Sequence, residues 1–345
     1  MATSSPLLVI RFSALGDVAM TVPVLRALLQ QHPDCSVCMV SNRAYAPLFD
    51  GIERLTFVGA DLKKEHRGFW GLVKLFRQLR QAGPYRGVAD LHLVIRSVVL
   101  GILFSLAGVP VVRLDKGRAE KKRLTQRYHK QLVPLKSAFE RMALVFSSLQ
   151  LPISLSKQVV VRSEISAPSL PKTYKVGIAP FAKHPEKTYP IQHMKALIEL
   201  LQQRSDLSIW LFGGAGAEAE ILSNWAQEFL GVRSMAGRYS LREELQYVGQ
   251  LDAIITMDSA NMHLASLCGI PVVSIWGPTH PHAGFMGWGQ SNEQAVQLDL
   301  PCRPCSVFGN KPCFRGDHAC MQQITPGTIV ERLYSLLEST TSAKG

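Results

Sequence analysis

No stretch of this chain reaches the roughly 20 consecutive apolar residues that a membrane span requires. The longest apolar run, Val98 to Val112, is interrupted by Ser105, Gly108 and Pro110 and reads as a buried helix followed by a strand. The N-terminus, Met1-Ala-Thr-Ser-Ser-Pro6, has no charged region leading into an apolar stretch, so no secretory signal is expected. Seven cysteines are an odd number, too few for a disulfide scaffold in 345 residues, and a cytoplasmic protein is expected.

Several signatures are also missing. Where a dinucleotide-binding G-x-G-x-x-G would follow the first apolar run, the chain has Arg11-Phe-Ser-Ala-Leu-Gly-Asp17. No G-x-x-x-x-G-K-[ST], G-x-S-x-G or H-E-x-x-H occurs. No D-x-D pair occurs either, a pattern with which many metal-dependent sugar transferases hold a divalent ion. Nicotinamide redox chemistry, P-loop phosphoryl transfer and serine hydrolysis are all disfavoured.

What is present is an alternation of strand-like and helix-like segments. With 47% hydrophobic and 19% charged residues, 345 residues form a globular chain of two domains. Apolar runs without period-two alternation mark strands at Leu7–Phe12, Ser36–Ser41, Gly87–Leu93 and Val109–Leu114. Helices are expected between them, at Asp17–Gln31, Gly68–Gln81 and Arg96–Ala107. The second half repeats the scheme, with strands Tyr174–Ala179, Leu207–Phe212, Ala253–Thr256 and Pro271–Trp276. Its helices fall at Ile191–Gln203, Ala217–Phe229, Leu241–Val248 and Ala260–Cys268.

This order implies an α/β protein with parallel sheets covered on both faces. The expected organisation is a Rossmann-like lobe over 1–162, a proline-containing linker over 163–173, a second Rossmann-like lobe over 174–325 and a C-terminal helix and tail over 326–345. The lobes would face one another across a cleft, with ligands at the C-terminal ends of the strands.

Charge is unevenly distributed. Residues 1–170 hold 24 Lys/Arg against 11 Asp/Glu, whereas residues 171–345 hold 14 against 15. The segment Lys63–Arg141 alone carries 18 Lys/Arg, including Lys116, Arg118 and Lys121-Lys122-Arg123. Such a surface attracts anionic partners. Few aromatics interleave with these charges and no nucleic-acid motif is present, which disfavours nucleic acid.

Four segments place polar side chains at expected strand ends. After the first strand come Ser13-Ala-Leu-Gly16-Asp17 and then Pro23. Gly16 permits a tight turn there, and Asp17 reads either as a helix cap or as a general base. Lys183-His184-Pro-Glu-Lys187 in the second half suits a diphosphate or is a solvated loop. The turn Phe212-Gly-Gly-Ala-Gly-Ala-Glu218 lets backbone approach a nucleotide. In Asp258-Ser259-Ala-Asn261-Met-His263, one polar residue would suffice as a cap; four point to a ligand. Separately, Cys302, Cys305, Cys313 and Cys320 fall within 19 residues and read as a site for one zinc or an iron–sulfur cluster, or as reduced thiols or a redox-sensitive pair packed under a proline-rich loop.

Gly16-Asp17 with Pro23, Lys187-x-Tyr189-Pro190, Asp258-Ser259 with His263, and Gly277-Pro278-Thr279 occur in the order seen in glycosyltransferase family 9. From about Leu7 to Pro326 the chain resembles that family's heptosyltransferases, which act in lipopolysaccharide core biosynthesis. The resemblance implies a GT-B fold and inverting transfer, without an essential metal, of heptose from ADP-heptose to the inner core. It implies that Asp17 deprotonates the acceptor and that Lys187 meets the donor diphosphate. It places Lys183, Glu218, Tyr239, Asp258, Ser259, His263 and Thr279 around the donor. Ser13, Asp90, His92, Arg96, Lys116 and Arg118 fall on the acceptor side, where an anionic lipopolysaccharide precursor would be met at the inner face of the inner membrane.

The chain departs from the family in having Ala260-Asn261 where Gly-Pro is common, and Tyr189 where Trp is frequent. A transferase of another nucleotide sugar or acceptor, or a non-catalytic polyanion binder, are the competing readings.

Overall fold

A computed structural model describes residues 5–156 and 174–342, so the expected linker over 163–173 lies outside the described residues. Contacts divide the described chain into two compact units, residues 5–116 with 136–156, and residues 117–135 with 174–342.

The first unit contains β1 (Leu7–Ile10), α1 (Leu15–Ala19), α2 (Thr21–Gln31), β2 (Val37–Asn42), β3 (Leu55–Ala60), α3 (Gly68–Gln81), β4 (Gly87–Asp90), α4 (Ile95–Leu106) and β5 (Val111–Arg113). The next helix, α5 (Arg118–Thr125), falls in the second unit, and α6 (Ala138–Ser148) returns to the first. The five strands are all parallel, in the order β3-β2-β1-β4-β5. Chain direction across the sheet reverses at β1 and β4, the switch point where doubly wound folds bind ligands. Leu8, Ile10, Val40 and Val88 join Leu75, Leu79, Leu100 and Phe104 in one core layer beneath α3 and α4.

The second unit contains β6 (Tyr174–Ala179), α7 (Ile191–Leu201), β7 (Leu207–Leu211), α8 (Ala217–Glu228), β8 (Val232–Ser234), α9 (Leu241–Val248), β9 (Ala253–Met257) and α10 (Ala260–Leu267). After β10 (Val272–Ile275) and β11 (Ala295–Val296), α11 (Ala319–Gln322) and α12 (Pro326–Ser342) complete it. Its six strands are parallel, in the order β11-β10-β9-β6-β7-β8, with the reversal at β6 and β9. Successive residues of one strand enter opposite layers: Ile255 and Met257 join Val176 and Ile178, whereas Ile254 joins Val272 and Trp276. That double burial explains strands that read as unbroken apolar runs. In α12, Ile329, Leu333, Leu336 and Leu337 insert into the same core.

Several expectations need correction. The helix expected over Asp17–Gln31 is two helices that meet at Met20. Pro23, the third residue of α2, lacks an N–H and cannot continue a ladder from α1. Gly16 accordingly lies within α1 rather than in the turn. The strands β3, β8 and β11 and the helices α5, α6 and α11 have no counterpart among the expected elements. Of these strands, β3 is a half-exposed edge, and β8 and β11 have three and two residues. The run from Val98 does form a helix and then a strand, yet α4 is not wholly buried: Ile102 and Leu106 are exposed. No helix among the described residues is long and apolar enough to cross a membrane.

Candidate functional site

In the first unit the turn after β1 sets Asp17 at the start of α1. Its Oδ2 accepts the Ala14 N–H at 3.2 Å, and its Oδ1 lies 2.9 Å from Arg11 Nη2. The cap reading is therefore observed, and the side chain, 38% exposed, remains open to solvent. Arg11 itself is anchored by donating to the Ser13 and Leu91 carbonyls. It orients Asp17, a function that the sequence signalled only by its position six residues earlier.

Beside this turn lies the one after β4. Asp90 is fully buried; its Oδ1 accepts from the backbone N–H of His92 and Leu93, each at 2.9 Å, and its Oδ2 accepts from Ser97 Oγ at 3.0 Å. Asp90 was expected to touch the acceptor. The structure makes it a positioning residue instead, because every oxygen faces its own turn. His92 Nδ1 accepts the Phe12 N–H at 3.4 Å. Burial, reinforced by the positive charges of Arg11 and Lys116, pushes the His92 imidazole down to about 3, so it is neutral at physiological pH. Ser13 and Arg96 are exposed, and Lys116 donates to the Leu93 carbonyl at 3.2 Å. Arg118, expected with them, opens α5 and so folds with the second unit.

In the second unit the switch point brings two predicted residues into contact. Lys187 ends a short turn after β6, and Asp258 follows β9 directly. Lys187 Nζ donates to the Asp258 carbonyl and lies 3.3 Å from Asp258 Oδ2, the side chains being 12% and 9% exposed. A nearly dry ion pair at a strand crossover is a preorganised charge pair rather than a solvated loop. Ser259 occupies the position just before α10 without a side-chain bond to the helix, its Oγ instead sharing a hydrogen bond with Thr256 Oγ1 at 3.1 Å, and His263 is buried one turn later.

On the neighbouring strand, Thr279 follows β10. Its Oγ1 is buried and has no hydrogen-bond partner among the described residues. On the other side, Glu218 Oε2 accepts the Gly214 N–H at 2.7 Å in the glycine turn after β7. Tyr239 lies beyond β8, its ring 4.5 Å from that of Tyr247, at an open groove of about 480 Å³ shared with Trp210, Arg233 and Arg238. Lys183 is exposed. Strands lie about 4.8 Å apart, so the edge from β10 to β8 spans roughly 19 Å.

The cysteine-rich segment supports this edge. Arg303, 4% exposed, donates to the carbonyls of Trp276, Gly277, Thr279 and Leu298 and to Gln297 Oε1. The Cys305 and Ser306 N–H groups donate to the Pro278 carbonyl, at 3.0 and 3.1 Å. His318 Nε2 meets the Glu186 carbonyl at 2.9 Å, beside Lys187. Gly309 packs so closely on the Lys187 stem that a Cβ there would lie 2.2 Å from its Cγ.

Sequence reading missed Arg303 and Gly309, since a lone arginine and glycine in a proline-rich loop carry no local signal. Cys302, Cys305, Cys313 and Cys320 are free thiols. Among the described residues no group of three or more His, Cys, Asp or Glu is disposed to hold a metal ion. Burial raises the Cys305 thiol, with the neighbouring sulfurs adding to the effect, and pushes Cys320 up to about 12. Burial thus favours the neutral thiol at Cys305 and Cys320.

The family profile of glycosyltransferase family 9 (heptosyltransferase) matches residues 73–312. The chain belongs to glycosyltransferase family 9. The matched part of this family 9 member includes Lys187, Asp258 and Thr279, whereas Asp17 precedes it.

Lipopolysaccharide heptosyltransferase 1 of Pseudomonas aeruginosa is 25% identical over 317 residues, covering 86% of this chain and 85% of that protein. Lipooligosaccharide heptosyltransferase 2 of Campylobacter jejuni is 30% identical over 135 residues, 38% of this chain; the chain thus spans 41% of that relative's length. The structure of E. coli heptosyltransferase WaaC with ADP superposes with a TM-score of 0.67 at 20% identity, covering 96% of this chain and 99% of that one. The shared architecture is GT-B, two α/β units with parallel sheets.

Proposed function

We propose that this family 9 member is an inverting glycosyltransferase. It transfers heptose from ADP-heptose to the lipopolysaccharide inner core and works at the cytoplasmic face of the inner membrane. The observation that carries the proposal is the Lys187–Asp258 pair at the switch point of the second sheet, flanked by the unpartnered Thr279 hydroxyl. The order along the sheet edge matches an extended nucleotide sugar. Thr279, Ser259, Asp258 and Lys187 form the polar centre, and Glu218 and Tyr239 lie toward the end where a nucleoside would rest.

In this reaction an acceptor hydroxyl loses its proton to Asp17 and attacks the anomeric carbon of the donor. The bond from that carbon to the phosphate oxygen breaks, and ADP departs with the electron pair. Lys187 and the N–H groups opening α10 stabilise the developing phosphate charge. Asp258 accepts hydrogen bonds from sugar hydroxyls, and Thr279 donates its hydroxyl to the diphosphate. Arg11 holds Asp17 in its rotamer, and neutral His92 adds no further positive charge beside it. None of these roles is assigned to a metal.

The test is transfer from ADP-heptose to inner-core lipopolysaccharide acceptors with and without a first heptose, without added metal. Asp17→Asn is expected to bind ADP normally and to lower turnover at least ~10²-fold, as for loss of a general base. Unchanged turnover would remove Asp17 from the mechanism. No transfer from ADP-heptose, with ADP binding that still depends on Lys187, would move the donor assignment to another sugar identified from a donor panel.

A further inference from the structure

The helix α4 has two apolar sides. Ser97, Leu100, Gly101 and Phe104 face inward and are buried. The opposite side carries Ile95, Val99, Ile102 and Leu106, spaced as one helical stripe. Ile95 is 84%, Ile102 47% and Leu106 81% exposed. Beside α4 lies α3, joined to it by the Phe76 and Phe104 rings at 4.9 Å. It opens with Phe69 and Trp70, which are 56% and 79% exposed. Both helices start at the C-terminal edge of the same parallel sheet, so these aromatic rings and Ile95 lie at one end of it.

Charge around these side chains is mostly positive. From His66 to Leu114 there are seven Lys/Arg against one acid, Asp90, buried within its own turn, and Glu65, just ahead of α3, lies 3.3 Å from Lys74 Nζ. Lys74, Arg77, Arg80 and Arg96 are exposed on α3 and α4. An aliphatic stripe next to Trp and Phe, bordered by exposed arginines that outnumber the acids, has the chemistry of a surface lying at the level of anionic lipid headgroups. Aromatic rings with long cationic side chains suit that interface, whereas a protein partner would have to supply a complementary acidic rim.

We infer that the outer face of α3 and α4 docks on an anionic lipid bilayer, with Phe69, Trp70, Ile95, Ile102 and Leu106 entering the interface and Arg77 and Arg80 meeting headgroup phosphates. The inference deepens the membrane-face location proposed above and rests on it for its biological setting. None of these seven residues has a role in the proposed chemistry.

The experiment is cosedimentation of the full chain with vesicles of phosphatidylcholine alone or mixed with phosphatidylglycerol, in parallel with transfer to a water-soluble, lipid-free core oligosaccharide. Wild type is expected to bind the anionic vesicles and to leave the neutral ones. Ile95→Ser/Leu106→Ser and Phe69→Ser/Trp70→Ser are expected to weaken binding at least ~10-fold. Each of Arg77→Glu and Arg80→Glu is expected to weaken it about fivefold or more. All these variants should transfer to the soluble acceptor at the wild-type rate. Equal binding to both vesicle types, undiminished binding by the variants, or self-association of wild type through this face in place of vesicle binding would overturn the inference. Vesicle binding with no sugar transfer by wild type would overturn the transferase reading and leave the lipid surface standing.

Discussion

Adding one methyl group at Gly309 is expected to disable donor binding while the fold persists. The Cβ of Gly309→Ala would stand 2.2 Å from Lys187 Cγ and 2.7 Å from its Cδ, where ordinary contact begins at 3.4 Å. Either the lysine stem or the loop must retreat by more than about 1 Å. The stem is confined because its Nζ is already committed to the Asp258 carbonyl and, at 3.3 Å, to the Asp258 carboxylate. Losing a charged hydrogen bond of this kind costs about 1.5–3 kcal/mol, which corresponds to roughly 10- to 150-fold in ADP affinity.

Gly309 has φ +68°, so alanine there also adds about 1 kcal/mol of backbone strain. Gly316→Ala is the control: φ is +79° in the same loop, yet a Cβ there has nothing within 4 Å. Both variants should melt a few degrees lower, and calorimetric titration with ADP should show the loss for Gly309→Ala alone. Wild-type affinity in Gly309→Ala, or equal losses in both variants, would refute the buttress and with it the positioning of Lys187 by the cysteine-rich loop.

Thr279→Val removes a buried hydroxyl without a partner among the described residues. It should raise the melting temperature of the free protein by about 1 kcal/mol equivalent or less and weaken ADP binding several-fold, opposite signs that a merely structural threonine would not produce. His92, held down to about 3, should show no imidazole titration by NMR between about pH 5 and 8. Its folded pKa lies below the unfolded one, so the unfolded state takes up a proton first. Stability is therefore lost as pH falls from about 6.5 toward 3, and His92→Gln should flatten that slope in denaturant melts. The cysteine-rich loop is held by Arg303, Ser306 and His318, so chelators should leave the melting temperature unchanged. Stoichiometric zinc by elemental analysis, with destabilisation on its removal, would contradict this.

Much of the fold was legible because burial on both faces leaves a local trace. Tyr174–Ala179 was read to the residue, and the first strand was two residues too long at Phe12, which continues the apolar layer beyond the last ladder bond. The unread pieces are those whose pattern is weak: β3 is half exposed, β8 has three residues, and α5 has so many charges that it reads as a basic patch. At the site, Lys187 and Asp258 were each visible as polar residues after apolar strands. Asp90 looked identical in that respect, and only its three donors show that it shapes a turn.

The sequence by itself determined the types of the strongly patterned elements, the parallel doubly wound class and the family, since these follow from periodicity and from motifs that span a few residues. The tertiary structure alone decided that Lys187 and Asp258, 71 residues apart, share one ion pair, and that Arg303 clamps the turn bearing Thr279. It likewise decided that residues 117–135 fold with the second unit and that α4 keeps one apolar stripe in solvent. Each of these depends on which distant segments the strand order brings side by side, a matter of topology that local spacing does not encode.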